Sequence, residues 1–150
     1  MTAILRAGLL EATTVVVAGA GELGGAVAAR AAALGAARAT AGPADVLVWD
    51  GAAAFVAGGT LAVLDGAWEA IRAVEAPLIL LLAPPAGDAH AEAARAGLEN
   101  LARTLSIEWA RRGVRTVAIW PGAAGEVAEL AAFLASPAGA YYSGCRFDLG

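Results

Sequence analysis

A single α/β domain with a mainly parallel sheet of about five strands is predicted for residues 1–150 by three observations. Short apolar runs rich in Val, Ile and Leu alternate with longer segments of helical periodicity, the pattern of strands buried on both faces and covered by helices. A glycine-rich turn, Gly19-Ala20-Gly21-Glu22-Leu23-Gly24, joins the first such run to the first helical segment. Apolar residues make up 59% of the chain and charged residues 16%, enough for one real core at this length and far from a disordered composition.

Taken in order, residues 13–18 are β-branched and almost uninterrupted, which suits a buried strand. Residues 23–34 read as a helix stopped by Gly35, and residues 44–49 as a second buried strand. Leu61, Leu64, Trp68 and Ile71 recur at helical spacing, and Pro77 ends that helix and opens a third strand at 78–82. Pro84-Pro85-Ala86-Gly87 is a turn, and Asp88 is placed to cap the longest helix, which runs to about Arg112. Its stripe is Ala91, Ala94, Leu98, Leu101, Leu105 and Trp109, at steps of three and four. Gly113 closes it, residues 114–120 form a fourth strand, and Pro121-Gly122 breaks the chain. A shorter helix at 126–135 and a last strand at 145–149 complete the domain, with no internal repeat and no linker.

Composition excludes several classes of function. The net charge is −4, every one of the ten basic residues is arginine, and they form no stripe for nucleic acid. The Arg111-Arg112-Arg115 group reads as positive charge at a helix C-terminus. One cysteine, Cys145, makes no internal disulfide, reads as a small buried residue on the last strand, and fits a reducing compartment. With one histidine, His90, there is no His/Cys metal set. No run approaches the ~18 apolar residues of a membrane span, and nothing at the N-terminus reads as a signal peptide. A cytoplasmic protein with no membrane partner is the expectation.

The glycine turn carries the ligand chemistry. Gly19 permits the tight turn off the strand, Gly21 lets backbone approach a pyrophosphate, and Gly24 lets the helix lie against the strand with its first amides facing the anion. Its place between a strand and a helix is the context such a fingerprint requires, so the fold is Rossmann-like, in three layers. Glu22 sits beside the phosphate seat, where a carboxylate repels. The acidic residue expected about 20 positions on, to hold an adenine ribose, is replaced by Arg38-Ala39-Thr40-Ala41-Gly42-Pro43, with no second strand to carry it.

The stretch 98–110, from Leu98-Glu99-Asn100 to Glu108-Trp109-Ala110, followed by Gly113-Val114-Arg115-Thr116-Val117-Ala118-Ile119-Trp120-Pro121-Gly122, resembles the short-chain dehydrogenase/reductase family: its long helix, next strand and Pro-Gly. Asp45-Val46-Leu47-Val48 resembles the strand before the family's Asn-Asn-Ala-Gly motif. Phe133-Leu134-Ala135-Ser136-Pro137 and Ser143-Gly144-Cys145-Arg146-Phe147-Asp148 resemble its C-terminal helix and last strand. The resemblance spans nearly the whole chain. It implies NAD or NADP as cofactor, with Gly19, Ala20, Gly21, Glu22, Leu23, Gly24, Asp50, Gly51, Arg95, Pro121 and Gly122 as the binding residues.

The departures are informative. Family members run to roughly 250 residues, and residues 36–43 are too short for the family's second and third strands. The first helix is therefore expected to connect directly to the strand at 44–49 and to change face, or to leave its coverage to a partner chain. Between Gly122 and Glu126 there is no room for a substrate-covering loop, and Asn-Asn-Ala-Gly has become Trp49-Asp50-Gly51-Ala52. The family's catalytic Tyr-x-x-x-Lys falls on Ala91 and Arg95, and its serine near Pro84-Pro85. That tyrosine is the acid/base and the lysine lowers its pKa; alanine does neither, while Arg95 keeps a charge that can touch a ribose or phosphate.

His90, Asp50 and Arg95 are the substitute catalytic candidates. His90, one position before the tyrosine site, diverges from it by about 100° around the helix and reads as a solvent-facing first-turn residue. Asp50 reads as part of a turn-forming Asp-Gly. The expected function is a dehydrogenase-like nucleotide-binding protein without the Ser/Tyr/Lys set, a pseudoenzyme or non-catalytic subunit. The alternatives are an oxidoreductase with non-standard residues and a ligand-free oligomerisation module. The small apolar stripes of the two long helices, and Tyr141 and Tyr142 in the C-terminal segment, suit a homodimer or homotetramer, or pairing with a full-length relative.

Overall fold

The architecture comes from a computed structural model that describes residues 4–150. The elements are β1 (Thr14–Ala18), α1 (Glu22–Ala33), β2 (Ala37–Ala39), β3 (Val46–Asp50), α2 (Ala52–Ala73), β4 (Leu78–Leu82), α3 (Ala89–Glu108), β5 (Arg115–Trp120), α4 (Ala124–Ala135) and β6 (Cys145–Asp148). All strands are parallel, in the order β2-β1-β3-β4-β5-β6. Every residue of β3 and β4 is buried, which is why these strands read as continuous rather than alternating apolar runs.

The two-residue period of the strands divides the core into two layers. Val48, Leu80 and Ile119 pack on the face covered by α1 and α4. Leu47, Ile79 and Leu81 pack on the face covered by α2 and α3. Alanine at positions 31, 131 and 132 keeps α1 and α4 close over the first layer, and Arg30 and Glu129 bridge them as an ion pair.

The sheet has six strands, one more than the sequence suggests. The extra strand is β2, within the segment that looks too short to hold one. Ala37-Arg38-Ala39 has little strand propensity, but it needs only to pair with the free edge of β1, in the register Thr14↔Ala37 to Val16↔Ala39. Consequently α1 leads to β2 and not directly to β3. Residues 40–45 then carry the chain past β1 to its other side, with Ala39 and Ala44 packed in the α2/α3 layer. Asp45 anchors the crossing: its carboxylate accepts the Thr14 N–H at 2.7 Å, and its own N–H donates to the Thr14 carbonyl. A six-residue loop thus takes the role assigned to a displaced helix, and α1 stays opposite α2. The short β2, with Arg38 at its centre, also blunts the sheet edge.

Two helices differ in length from their sequence signals. α2 begins at Ala52, ahead of its apolar periodicity, and passes through a break at Gly59, whose φ of 71° is left-handed. The Thr60 hydroxyl donates to the His90 carbonyl at 2.8 Å and ties this break to the start of α3. α3 ends at Glu108, with a 3-10 turn at Ala110–Arg112 before Gly113. Among the described residues α2 is the one helix long and apolar enough to cross a bilayer. It carries Asp65, Glu69 and Arg72, and packs Val63, Ala67 and Ile71 into the core.

Leu80, at the centre of β4, is fully buried. Leu80→Ala is expected to destabilise the fold by about 2–5 kcal/mol, read from the midpoint of urea unfolding.

Candidate functional site

The C-terminal edge of the sheet gathers the starts of four helices: α1 after β1, α2 after β3, α3 after β4 and α4 after β5. Open α/β sheets bind ligands at this edge, where neighbouring connections leave on opposite faces. A cavity of about 210 Å³ lies there, lined by Glu22, Leu23, Ala52, Pro85, Pro121, Gly122 and Ala124. It is below the 300–1,000 Å³ of most ligand sites, with room for no more than a fragment of a dinucleotide. A larger cavity, about 320 Å³, opens at the opposite edge between Asp45, Arg115 and Ser136. There the Arg115 guanidinium already donates to the Gly139 and Tyr142 carbonyls, although burial lowers its pKa.

The glycine turn has the geometry its sequence demands, with one substitution of purpose. Gly19 turns the chain at φ 85°, and a side chain there would run into the Asp50 carbonyl. A Cβ on Gly24 would lie 2.9 Å from a Val17 methyl, so this glycine sets the close approach of α1 to β1. Gly21 has extended backbone, but a Cβ on it would sit 2.7 Å from the Asp50 Cγ and 2.8 Å from Oδ1. The close approach that Gly21 permits is therefore already used by Asp50.

Asp50 is the last residue of β3 and is fully buried. Its Oδ2 accepts the Gly24 N–H at 2.7 Å, in the first turn of α1. Its Oδ1 accepts the Ala52 N–H at 3.0 Å, at the start of α2. The second bond is the Asp-Gly turn read from the sequence. The first spans 26 positions and has no local sequence signal. One carboxylate thus caps two helices that lie on opposite faces of the sheet. Gly51 completes the corner, its N–H donating to the Leu82 carbonyl at 3.0 Å.

The remaining candidates are placed as follows. Glu22 and Ala20 are exposed, Leu23 is buried, and Glu22, Leu23, Pro121 and Gly122 line the cavity. Ala52, Pro85 and Ala124 join them there without having been singled out in the sequence, because alanine and proline carry no ligand chemistry of their own. Arg95 is 4% exposed. Its guanidinium lies 4.5 Å from the Trp120 ring centroid and its Nη1 3.5 Å from the Pro84 carbonyl. The Trp120 indole N–H donates to the Arg95 carbonyl at 3.2 Å. Glu92 stands 3.6 Å from Nε, a pairing across the first turns of α3. Arg95 is thus packed beside the site and is not a wall of the cavity.

Ala91, four residues before it, is a buried methyl. His90 is exposed, with its N–H on the Asp88 carboxylate at 3.0 Å and its side chain apart from the cavity lining. Cys145 is half-buried, and burial raises its thiol pKa, which suppresses the thiolate. Tyr142 packs edge-on against Phe133 and Phe147, and Tyr141 is exposed.

No protein-family model matches the sequence, and no curated protein matches it. Solved structures do. BdcA of E. coli superposes with a TM-score of 0.73 at 19% identity, over 94% of this chain and 100% of BdcA. A variant of the Serratia marcescens short-chain dehydrogenase/reductase gives 0.74 at 18% identity, over 94% and 97% of the two chains. The 3-alpha-hydroxysteroid dehydrogenase of a Pseudomonas species, complexed with NADH, gives 0.65 at 19% identity, over 91% and 93%.

Removing the double cap should be costly. Asp50→Ala leaves two first-turn amides without their acceptor and is expected to lower stability by about 2–4 kcal/mol, measured by chemical denaturation. Asp148→Ala, an exposed carboxylate on β6, is expected to change it by under about 0.5 kcal/mol. The comparisons and the topology agree on one point: the chain has the fold of the short-chain dehydrogenase/reductases.

Proposed function

We propose that this chain is a short-chain dehydrogenase/reductase-like nucleotide-binding domain that does not carry out hydride transfer by the family's mechanism, acting as a pseudoenzyme or non-catalytic subunit. The observation that carries the reading is the pair Ala91 and Arg95 on the first turns of α3, where the resemblance calls for tyrosine and lysine. A buried methyl has no proton to exchange. A guanidinium keeps its proton across the accessible pH range, and this one is held against Trp120 and Pro84. Nucleotide binding is supported by the glycine turn, by the cavity at the switch edge, and by the ligands of the matching structures: NADH in the hydroxysteroid dehydrogenase, and NADPH in a further BdcA structure. The ligand-free module remains a second reading, favoured by the Asp50 carboxylate at the start of α1.

The same reading includes self-association through α2 and α3. Val56, Leu61 and Ile107 are 87%, 72% and 74% exposed on these helices, apolar side chains that a helix-to-helix contact takes out of water. Two copies meeting helix to helix would cover them.

Titration calorimetry with NAD⁺, NADH, NADP⁺ and NADPH tests the nucleotide half. Saturable binding of at least one, lost in Gly21→Glu and unaccompanied by turnover of alcohol or carbonyl substrates, is the expected result. No saturable heat up to millimolar ligand would remove the reading. Sedimentation velocity tests the other half: a dimer or tetramer is expected, reduced to monomer by Leu61→Arg with Ile107→Arg, while a monomeric native chain would refute it.

A further inference from the structure

The start of α1 already has an anion, and it comes from the chain itself. Asp50 is fully buried, with one oxygen on the Gly24 N–H and the other on the Ala52 N–H. Two helix starts together present about one positive charge, and the Asp50 carboxylate supplies one negative charge. The place where a pyrophosphate gains most is therefore electrically balanced before any ligand arrives. The exposed Gly21 lies directly against this carboxylate: a Cβ on it would lie 2.7 Å from the Asp50 Cγ. A phosphate that uses the close approach offered by Gly21 must come up against a like charge shielded by protein rather than water. Glu22, exposed at the first position of α1 and lining the cavity, adds a second carboxylate. Arg95, the one arginine among the candidate binding residues, faces Trp120 and Glu92 and does not line the cavity.

We infer that Asp50 holds the anion place of this nucleotide site and sets its charge preference, so that phosphate groups gain nothing there and uncharged nucleoside is bound at least as well as its diphosphate. The inference rests on the nucleotide-binding reading above and specifies the ligand class of that site. Asparagine keeps the shape but turns an N–H₂ towards one of the two amides, whereas serine keeps an acceptor without charge. The two substitutions therefore perturb the caps differently and remove the charge alike.

The experiment is titration calorimetry with adenosine, ADP and NAD⁺ on the native chain and on Asp50→Asn, Asp50→Ser and Asp65→Asn. The last removes one charge from the exposed face of α2. On the native chain, ADP is expected to bind no tighter than adenosine. In whichever Asp50 variant keeps the native circular dichroism and melting transition, ADP and NAD⁺ are expected to bind at least tenfold tighter than to the native chain. Adenosine affinity should not move, and Asp65→Asn should behave as native. ADP binding the native chain tenfold tighter than adenosine, or a folded Asp50 variant with no gain for ADP, overturns the inference and leaves nucleotide binding standing. No saturable binding of any ligand to any of the proteins overturns both.

Discussion

The fold is organised around one buried carboxylate. Asp50 ends the strand β3, and its two oxygens reach the first turns of α1 and α2, helices on opposite faces of the sheet. A buried ion is tolerated only when hydrogen bonds replace its hydration, and here the donors are amides that helices leave unpaired at their starts. Three glycines follow from this arrangement. Gly19 clears the Asp50 carbonyl, Gly21 clears its carboxylate, and Gly24 brings α1 near enough for the bond. What reads as a phosphate-binding fingerprint is also the packing requirement of an aspartate.

Around this corner the edge of the sheet is short: β2 has three residues, and residues 40–45 make the crossing to β3. Asp45 performs at the start of β1 a smaller version of what Asp50 does at the far end, accepting a backbone N–H across strands. Economy at the edge leaves the centre intact: β3, β4 and β5 keep buried, branched side chains on both faces. At the crevice the cavity has a volume of about 210 Å³, and Ala91 and Arg95 lie on the first turns of α3 beside it.

The central strands, the glycine turn, the Asp88 cap and the long α3 were legible in the sequence because each is a local signal: a branched run, a glycine spacing, a capping residue, a helical stripe. β2 was not, because Ala37-Arg38-Ala39 is held by the edge of β1 and not by its own preferences. The first turns of α2 were hidden by Gly58-Gly59, which break the periodicity that reveals the rest of the helix. At the site, the Asp-Gly turn could be read from neighbours in sequence, whereas the bond from Gly24 to Asp50 depends on the register of β1 against β3. Only the folded sheet brings those residues together, and with them the glycine turn and the carboxylate beneath it.

The double cap is the claim on which the rest depends, and backbone amide hydrogen exchange resolved by NMR tests it most directly. The Gly24 and Ala52 amides lie in first helical turns, where amides ordinarily exchange quickly because no helical carbonyl protects them. Protection of both, close to that of the β3 and β4 amides, is the predicted result. Fast exchange at both would place the Asp50 carboxylate elsewhere and leave the seat at the start of α1 open.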